Sequence, residues 1–313
     1  MLYRYFLQFL STLCPEHALK KNAKIVCTFK SSPYLWGMIY DNELIEGAKL
    51  SELCLNVIDL GKEVAQFLSD VTKKILPSDI TEKFHNNLVS YADIQAEQML
   101  VKGLARLLPD AGFLTEENTI TPTANDTYIY RWVIDPLDGT TNFLHKIPVY
   151  AISVALLHKN IPILGVVFDI CRQDVFHAQI GNGAYCNGQP IAVSTTPYLA
   201  KALVATGFPY YDFTVMNSYM AVLQELIPNT QGIRRLGSAA IDLCYVAAGH
   251  FDSFFEHSLQ PWDVAAGALI VQEAGGKVSD FWGRDNWLFG KQMVAANPLL
   301  HDQMLNLTSR QTW

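Results

Sequence analysis

In the stretch Trp132 to Phe143, WVIDPLDGTTNF, two aspartates stand three residues apart around a proline. Asp135 and Asp138 offer carboxylates for cations. Gly139 carries no side chain to keep an anionic ligand off the backbone. Pro136 pushes Asp135 towards an extended conformation and cannot extend a sheet, so RWVID is expected to be a strand that ends at Asp135 in a turn. Thr140-Thr141-Asn142-Phe143 is then expected to open a short helix whose first N–H groups point back at the turn, a place that attracts anions. Taken alone, the same Asp, Pro and Gly suit an ordinary tight turn.

Further acids accompany this stretch. FLTEEN supplies Glu116 and Glu117 after a short apolar run. SYADIQAE puts Asp93 at a helix start, where a capping role would account for it. QPWDVAAGALIVQEAGG puts Asp263 at the start of another helix, again a plausible cap. Each is ordinary by itself; their coexistence with DPLDGTTNF suggests a cation site.

DPLDGTTNF and WDVAAGALIVQEAGG together resemble the paired signature of the inositol monophosphatase family, Mg2+-dependent, lithium-sensitive phosphatases of the sugar-phosphatase fold. The resemblance runs from about Glu43 to the C-terminus. It implies an α+β fold, a layered αβαβα sandwich, and hydrolysis of myo-inositol monophosphate by metal-activated water. It further implies that Glu116, Asp135 and the Leu137 carbonyl hold one Mg2+, that Asp135, Asp138 and Asp263 hold a second, and that a third, weaker ion leans on Glu116 and water. By the same resemblance, Thr140 and Glu116 orient the attacking water, Asp93 holds the Thr140 hydroxyl, and the Gly139 and Thr140 amides bind phosphate. Substrate hydroxyls would meet Asp138, Gly237, Ser238, Ala239, Glu256 and Asp263, since LGSAA and FFEHSLQPWD keep the family spacing. A homodimer is also implied, while the cysteines, read as free thiols, point to a reducing, cytoplasmic compartment.

The chain departs from the family pattern in two places. Thr115 precedes Glu116-Glu117 where the family commonly has Gly. KFHNNLVSYAD has Asn87 where Asp is common, with Lys83 as the candidate loop lysine one residue out of step. Three other readings remain. Haloacid-dehalogenase-type enzymes carry D-x-D-G-T, but the spacing here is D-x-x-D-G-T. A regulatory or RNA-associated family member would not need a complete set of acids. The same chemistry on fructose 1,6-bisphosphate, a nucleotide 3′-phosphate or histidinol phosphate is the third.

The chain must be large enough to position these groups. It has 313 residues, 50% of them hydrophobic and 17% charged, with a net charge of −7. This is a globular composition without the basic stripe of a nucleic-acid footprint, so neither nucleic acid nor membrane is expected as a partner; a small phosphorylated polyol is the partner that the resemblance implies. The six cysteines form no CxxC pair and are read as free thiols. Leu53, Val57, Leu60, Val64, Phe67, Val71 and Ile75 recur at helical spacing, and Pro77 is expected to end that helix. A second helix is expected over Tyr91–Leu108. VYAISVALLH, ILGVVFDI and DVFHAQI read as strands, and GNGAYCNGQP as a hairpin. Beyond Ser194 come a strand at LVATG, helices over Val215–Ile227 and Ser238–Gly249, a strand at FDSFFE and a helix over Asp263–Glu273. Residues 38–313 are expected to form the catalytic domain, with sub-halves 38–193 and 194–313. Residues 1–37 are basic where the rest is acidic; they are expected to be a disordered extension, the alternative being a targeting or docking segment.

Overall fold

The computed structural model describes residues 45–73, 80–84, 87–120, 128–209 and 212–313, with backbone alone for 80–84 and 87–90. The expectations for residues 1–37, and for the helix end at Pro77, lie outside the described residues. Glu46–Trp313 group as one compact unit.

Two helices open this unit, α1 (Gly47–Thr72) and α2 (Tyr91–Leu107), with a two-stranded antiparallel ribbon, β1 (Ile80–Phe84) and β2 (Asn87–Ser90), between them. A seven-stranded sheet follows: β3 (Gly112–Thr115), β4 (Tyr130–Asp138), β5 (Ala151–His158), β6 (Ile161–Asp169), β7 (Asp174–Gln179), β8 (Ala184–Cys186) and β9 (Gln189–Ile191), in that spatial order. Every neighbouring pair is antiparallel except β3 with β4.

The second sheet has the order β11–β10–β12–β14–β13. Its strands are β10 (Leu203–Thr206), β11 (Gly232–Arg234), β12 (Ser253–His257), β13 (Lys277–Ser279) and β14 (Gln292–Ala296). Between and after them run α4 (Met216–Asn229), α5 (Ala239–Ala247), α6 (Pro261–Glu273) and α7 (His301–Thr308). A short α3 (Thr140–Leu144) follows β4.

Burial shows why these pieces stack in five layers. Along the second sheet, Ala205, Phe254, Met293 and Ala295 share a core with α5, α6 and the first sheet's Val133, Ala155 and Val167. Their strand neighbours Val204, Phe255, Val294 and Ala296 point the other way and meet α4 and α7. This is the period-two alternation of strands covered on both faces. Helix α6 is buried almost all round, as a helix caught between two sheets must be. Gly165 lets it approach: a Cβ there would lie 2.8 Å from the Ala266 carbonyl oxygen. On the outer face of the first sheet α1 packs on β6 and α2 on β4. The layers are therefore αβαβα.

The expected strands and helices from Tyr91 to Glu273 are present. Strand β3, strands β11, β13 and β14, and helix α7 were not anticipated. Strand β4 also corrects one expectation, because the chain does not turn at Pro136. Asp135 pairs with Ser153 and Asp138 with Ala151, so three steps on β4 face two on β5. Such a bulge accepts a proline, which has no N–H for the ladder. The extra residue also matters for the site. Three steps along a regular strand would send Asp135 and Asp138 to opposite faces, and the bulge restores them to the same one.

Candidate active site

One cleft, of ≈ 690 Å³, opens where the bulge of β4, the β3 end, the N-terminus of α5, β12 and the N-terminus of α6 meet. Glu116, Asp135, Leu137, Asp138, Gly139, Thr140, Gly237, Ser238, Ala239, Glu256 and Asp263 all line it. Asp93 does not line it; its side chain reaches Thr140 from behind. The structure thus brings together on one cleft residues as far apart in the sequence as Glu116 and Asp263. Lys83 lies in β1 and its side chain is outside the described residues.

Each carboxylate is held by its own local structure. The Leu137 N–H donates to Asp135 Oδ1 at 2.9 Å, closing the bulge as an Asx turn. Asp138 Oδ2 accepts from the Ser238 hydroxyl and the Ala240 N–H, each at 2.7 Å, and the residue lines the cleft. Ser238 in turn caps α5, accepting from the Ile241 N–H at 3.3 Å. Asp263 is a cap as well, though at the third position of α6: its Oδ2 accepts from the Gln260 N–H at 2.7 Å within a capping box. Capping a helix and lining the cleft are therefore compatible on one side chain.

The Thr140 hydroxyl lies 3.2 Å from Asp93 Oδ1 and 3.0 Å from the Leu137 carbonyl. Gly139 precedes it at φ +95°, where a Cβ would sit 3.0 Å from the Val149 carbonyl and 3.1 Å from that of Gly237. The Asn142 amide donates to the Val149 and Leu236 carbonyls at 2.8 and 2.9 Å and ties α3 to the loop before α5.

The electrostatics are lopsided. Among the described residues lining the cleft, six are carboxylates, and Arg235 is the one lysine or arginine. Burial pushes the Glu116 carboxyl well above its ordinary range, and Asp263, Asp93 and Glu117 push it further. Asp135 is raised likewise by burial, then by Glu116, Asp138 and Asp263. Burial carries Asp138 to about 6 against the pull of its Ser238 and Ala240 hydrogen bonds and of Arg235. Asp263 rises to about 8, through burial and then Asp138. Glu256 and Asp242 are raised by burial and then by neighbouring carboxylates. Carboxyls that repel one another across one cleft need protons or cations among them.

A cation fits this donor set. Among the described residues no group of three or more His, Cys, Asp or Glu side chains is arranged to hold a metal ion by itself, so an ion here would also need backbone carbonyl, water or substrate oxygens. Mg2+ demands less: it binds through one or two carboxylates and keeps several waters.

Sequence reading missed three supports. Gln260 completes the cap that fixes Asp263. Asp242 lines the cleft with its Oδ1 buried and unpartnered. Glu97, wholly buried on α2, accepts hydrogen bonds from the loop that carries Glu116. A signal was present for Glu97: it follows Asp93 by four residues and precedes Leu100 by three, so it occupies the buried phase of its helix.

Comparison with known proteins agrees with this architecture. The pattern of the inositol monophosphatase family matches residues 49–312. A Neisseria meningitidis protein described as a putative Nus factor SuhB is 48% identical over 227 residues, covering 72% of this chain and 86% of the relative. The crystal structure of extragenic suppressor protein suhB from Bartonella henselae superimposes with a TM-score of 0.77 at 34% identity, over 82% of this chain and 98% of that one. The Thermotoga maritima IMPase gives 0.72 at 33%, over 81% and 95%. With the family pattern matched over residues 49–312 and a relative 48% identical over 72% of the chain, the chain belongs to the inositol monophosphatase family.

Proposed function

We propose that the chain is a Mg2+-dependent phosphomonoesterase that releases phosphate from myo-inositol monophosphate. Family membership supports a phosphatase. The observation that carries the metal reading is the lining of the cleft: Glu116, Asp135, Asp138 and Asp263 face one space, and burial and their mutual repulsion raise the proton affinity of Glu116 and Asp135. Glu116, Asp135 and the Leu137 carbonyl would hold one ion, Asp135, Asp138 and Asp263 another, with a third at Glu116. When bound, such ions lower the pKa of a water and stabilise the charge of an in-line phosphoryl displacement.

The protein's own part is positioning and proton handling. Asp93 and the Leu137 carbonyl both compete for the single Thr140 hydroxyl proton, so the oxygen lone pairs of Thr140 face the cleft and orient the attacking water. Glu116 accepts the proton that the water loses. The Gly139 and Thr140 amides, exposed by the left-handed turn, donate to phosphate oxygens. At the other end Asp138, Glu256 and Asp263, with Gly237, Ser238 and Ala239, receive the polyol. A carboxylate oxygen accepts from hydroxyls, and vicinal diols match paired acceptors. The test is a panel of phosphate esters compared by kcat/KM with Mg2+. Inositol monophosphate should lead fructose 1,6-bisphosphate, nucleotide 3′-phosphates and histidinol phosphate; a clear lead for one of the others would reassign the substrate. A homodimer belongs to the same reading, and a light-scattering mass near 35.0 kDa would contradict it.

The printed description of the Neisseria relative as a putative Nus factor favours a second reading, a binding role beside catalysis. Pull-down with the wild type and with Asp138→Asn separates them: a partner retained by an inactive variant marks a role independent of hydrolysis.

A further inference from the structure

We propose that Glu97 is a positioning residue for metal binding: it clamps the loop that carries Glu116, so that the affinity of the site for Mg2+ depends on a side chain that does not line the cleft. The inference rests on the metal-dependent reading above.

The parallel ladder of β3 with β4 ends at Thr115, opposite Ile134. Past that point the backbone leaves the sheet, and its N–H groups need acceptors elsewhere. A weak link remains from the Glu116 N–H to the Ile134 carbonyl at 3.3 Å. Glu97 supplies the rest. Its Oε1 accepts from the Thr115 hydroxyl at 3.0 Å and from both the N–H and the hydroxyl of Thr119 at 2.7 Å. Its Oε2 accepts from the Glu117 N–H at 2.7 Å. A carboxylate is acceptor-only, and all four partners are donors. The loop from Thr115 to Thr119 is thus wrapped around one buried side chain, and Glu116, held between the anchored Thr115 and Glu117, lines the cleft.

The geometry also joins the two ends of the site. Asp93 and Glu97 stand one turn apart on α2 and are both buried. Asp93 fixes Thr140, and Glu97 fixes the Glu116 loop. One rigid helix face therefore sets the distance between the water-orienting hydroxyl and the metal-binding carboxylate. Partners behind a metal ligand commonly control affinity ten- to a hundredfold.

The test is calorimetric titration of Mg2+ into the full chain, for wild type and Glu97→Gln, with melting curves in chelator alongside. Glutamine keeps the shape and the Oε1 acceptor but turns an amide N–H2 towards the Glu117 N–H, donor against donor. The expected result is Mg2+ binding about tenfold weaker, and a matching rise in the Mg2+ needed for half-maximal hydrolysis. At saturating Mg2+, kcat should return towards wild type with KM for the ester unchanged. A purely structural role would instead lower the melting temperature in chelator and leave the Mg2+ affinity of the folded variant intact; that result overturns the inference alone. Absence of Mg2+ binding by the wild type overturns the metal reading, and this inference with it. If Glu97→Gln does not fold, Thr119→Val, which removes a single donor, should weaken Mg2+ binding in the same direction by a smaller factor, and unchanged binding there overturns the proposal.

Discussion

The Thr140 hydroxyl meets Asp93 Oδ1 at 3.2 Å, across 47 residues of sequence. The contact joins α2 to the start of α3, and in the proposed reaction it aims the hydroxyl at water. Removing either partner should cost the same interaction. Asp93→Asn and Thr140→Ala are each expected to lower kcat by about a hundredfold, with KM little changed. The double variant should be scarcely worse than the single ones, because contacting residues that act as a unit are not additive. Steady-state kinetics on the three variants checks this. Fully multiplicative losses would show that the two residues act separately.

Asp135 is buried among like charges that raise its proton affinity. Its neutral isostere should therefore relieve strain in metal-free protein while removing a candidate ligand. Asp135→Asn is expected to lose activity by at least about two orders of magnitude yet melt no lower than the wild type in chelator. Asparagine Oδ1 still accepts from the Leu137 N–H, so the bulge survives. A melting temperature several degrees below wild type would show that the carboxylate stabilises the fold instead of opposing it.

At Gly139 the backbone has φ +95°, and a Cβ would press on two carbonyl oxygens at 3.0 and 3.1 Å. Gly139→Ala should cost on the order of 1–2 kcal/mol for the left-handed conformation alone, and it should move the amides offered to phosphate. Both the melting temperature and kcat/KM are expected to fall. A variant with wild-type values for both would remove the turn from the account.

The raised carboxyls also set a pH dependence for metal-free protein. Asp138, at about 6, and Asp263, at about 8, bind a proton more tightly folded than unfolded, where the value is near 3.8. The stability they contribute is complete below about pH 4 and is lost as pH rises through 6 and then 8. In chelator the melting temperature should therefore decline between pH 5 and 9, and Mg2+ should restore more stability at pH 8 than at pH 6. A melting temperature in chelator that rises across this window would contradict the assigned shifts.

The amount of this site that the sequence made legible follows from how local each cause is. DPLDGTTNF announced itself because a proline, a glycine and two acids leave few backbone solutions. Asp93 and Asp263 both carried cap chemistry; the helix at Asp93 added apolar periodicity, and the helix at Asp263 a run that is apolar almost all round. The bulge was not legible: reading Pro136 as a chain reversal is sound for an isolated strand, and only pairing with β5 shows that one extra residue is absorbed and that both aspartates then share a face. Strands β13 and β14 escaped notice because KVS and QMVAA are short, and their apolar residues point to both layers without clean alternation. Glu97 was legible in principle, as a carboxylate in the buried phase of α2. Its partners Thr115, Glu117 and Thr119 follow about twenty residues later, and nothing local links them.

The most direct test of the central claim is inorganic phosphate release from myo-inositol monophosphate by the full chain while chelator is titrated into Mg2+-loaded protein. The account requires release to fall to background as Mg2+ is withdrawn and to recover when Mg2+ is added back. Release that is unaffected by chelator, or no release at any Mg2+ concentration, would contradict it.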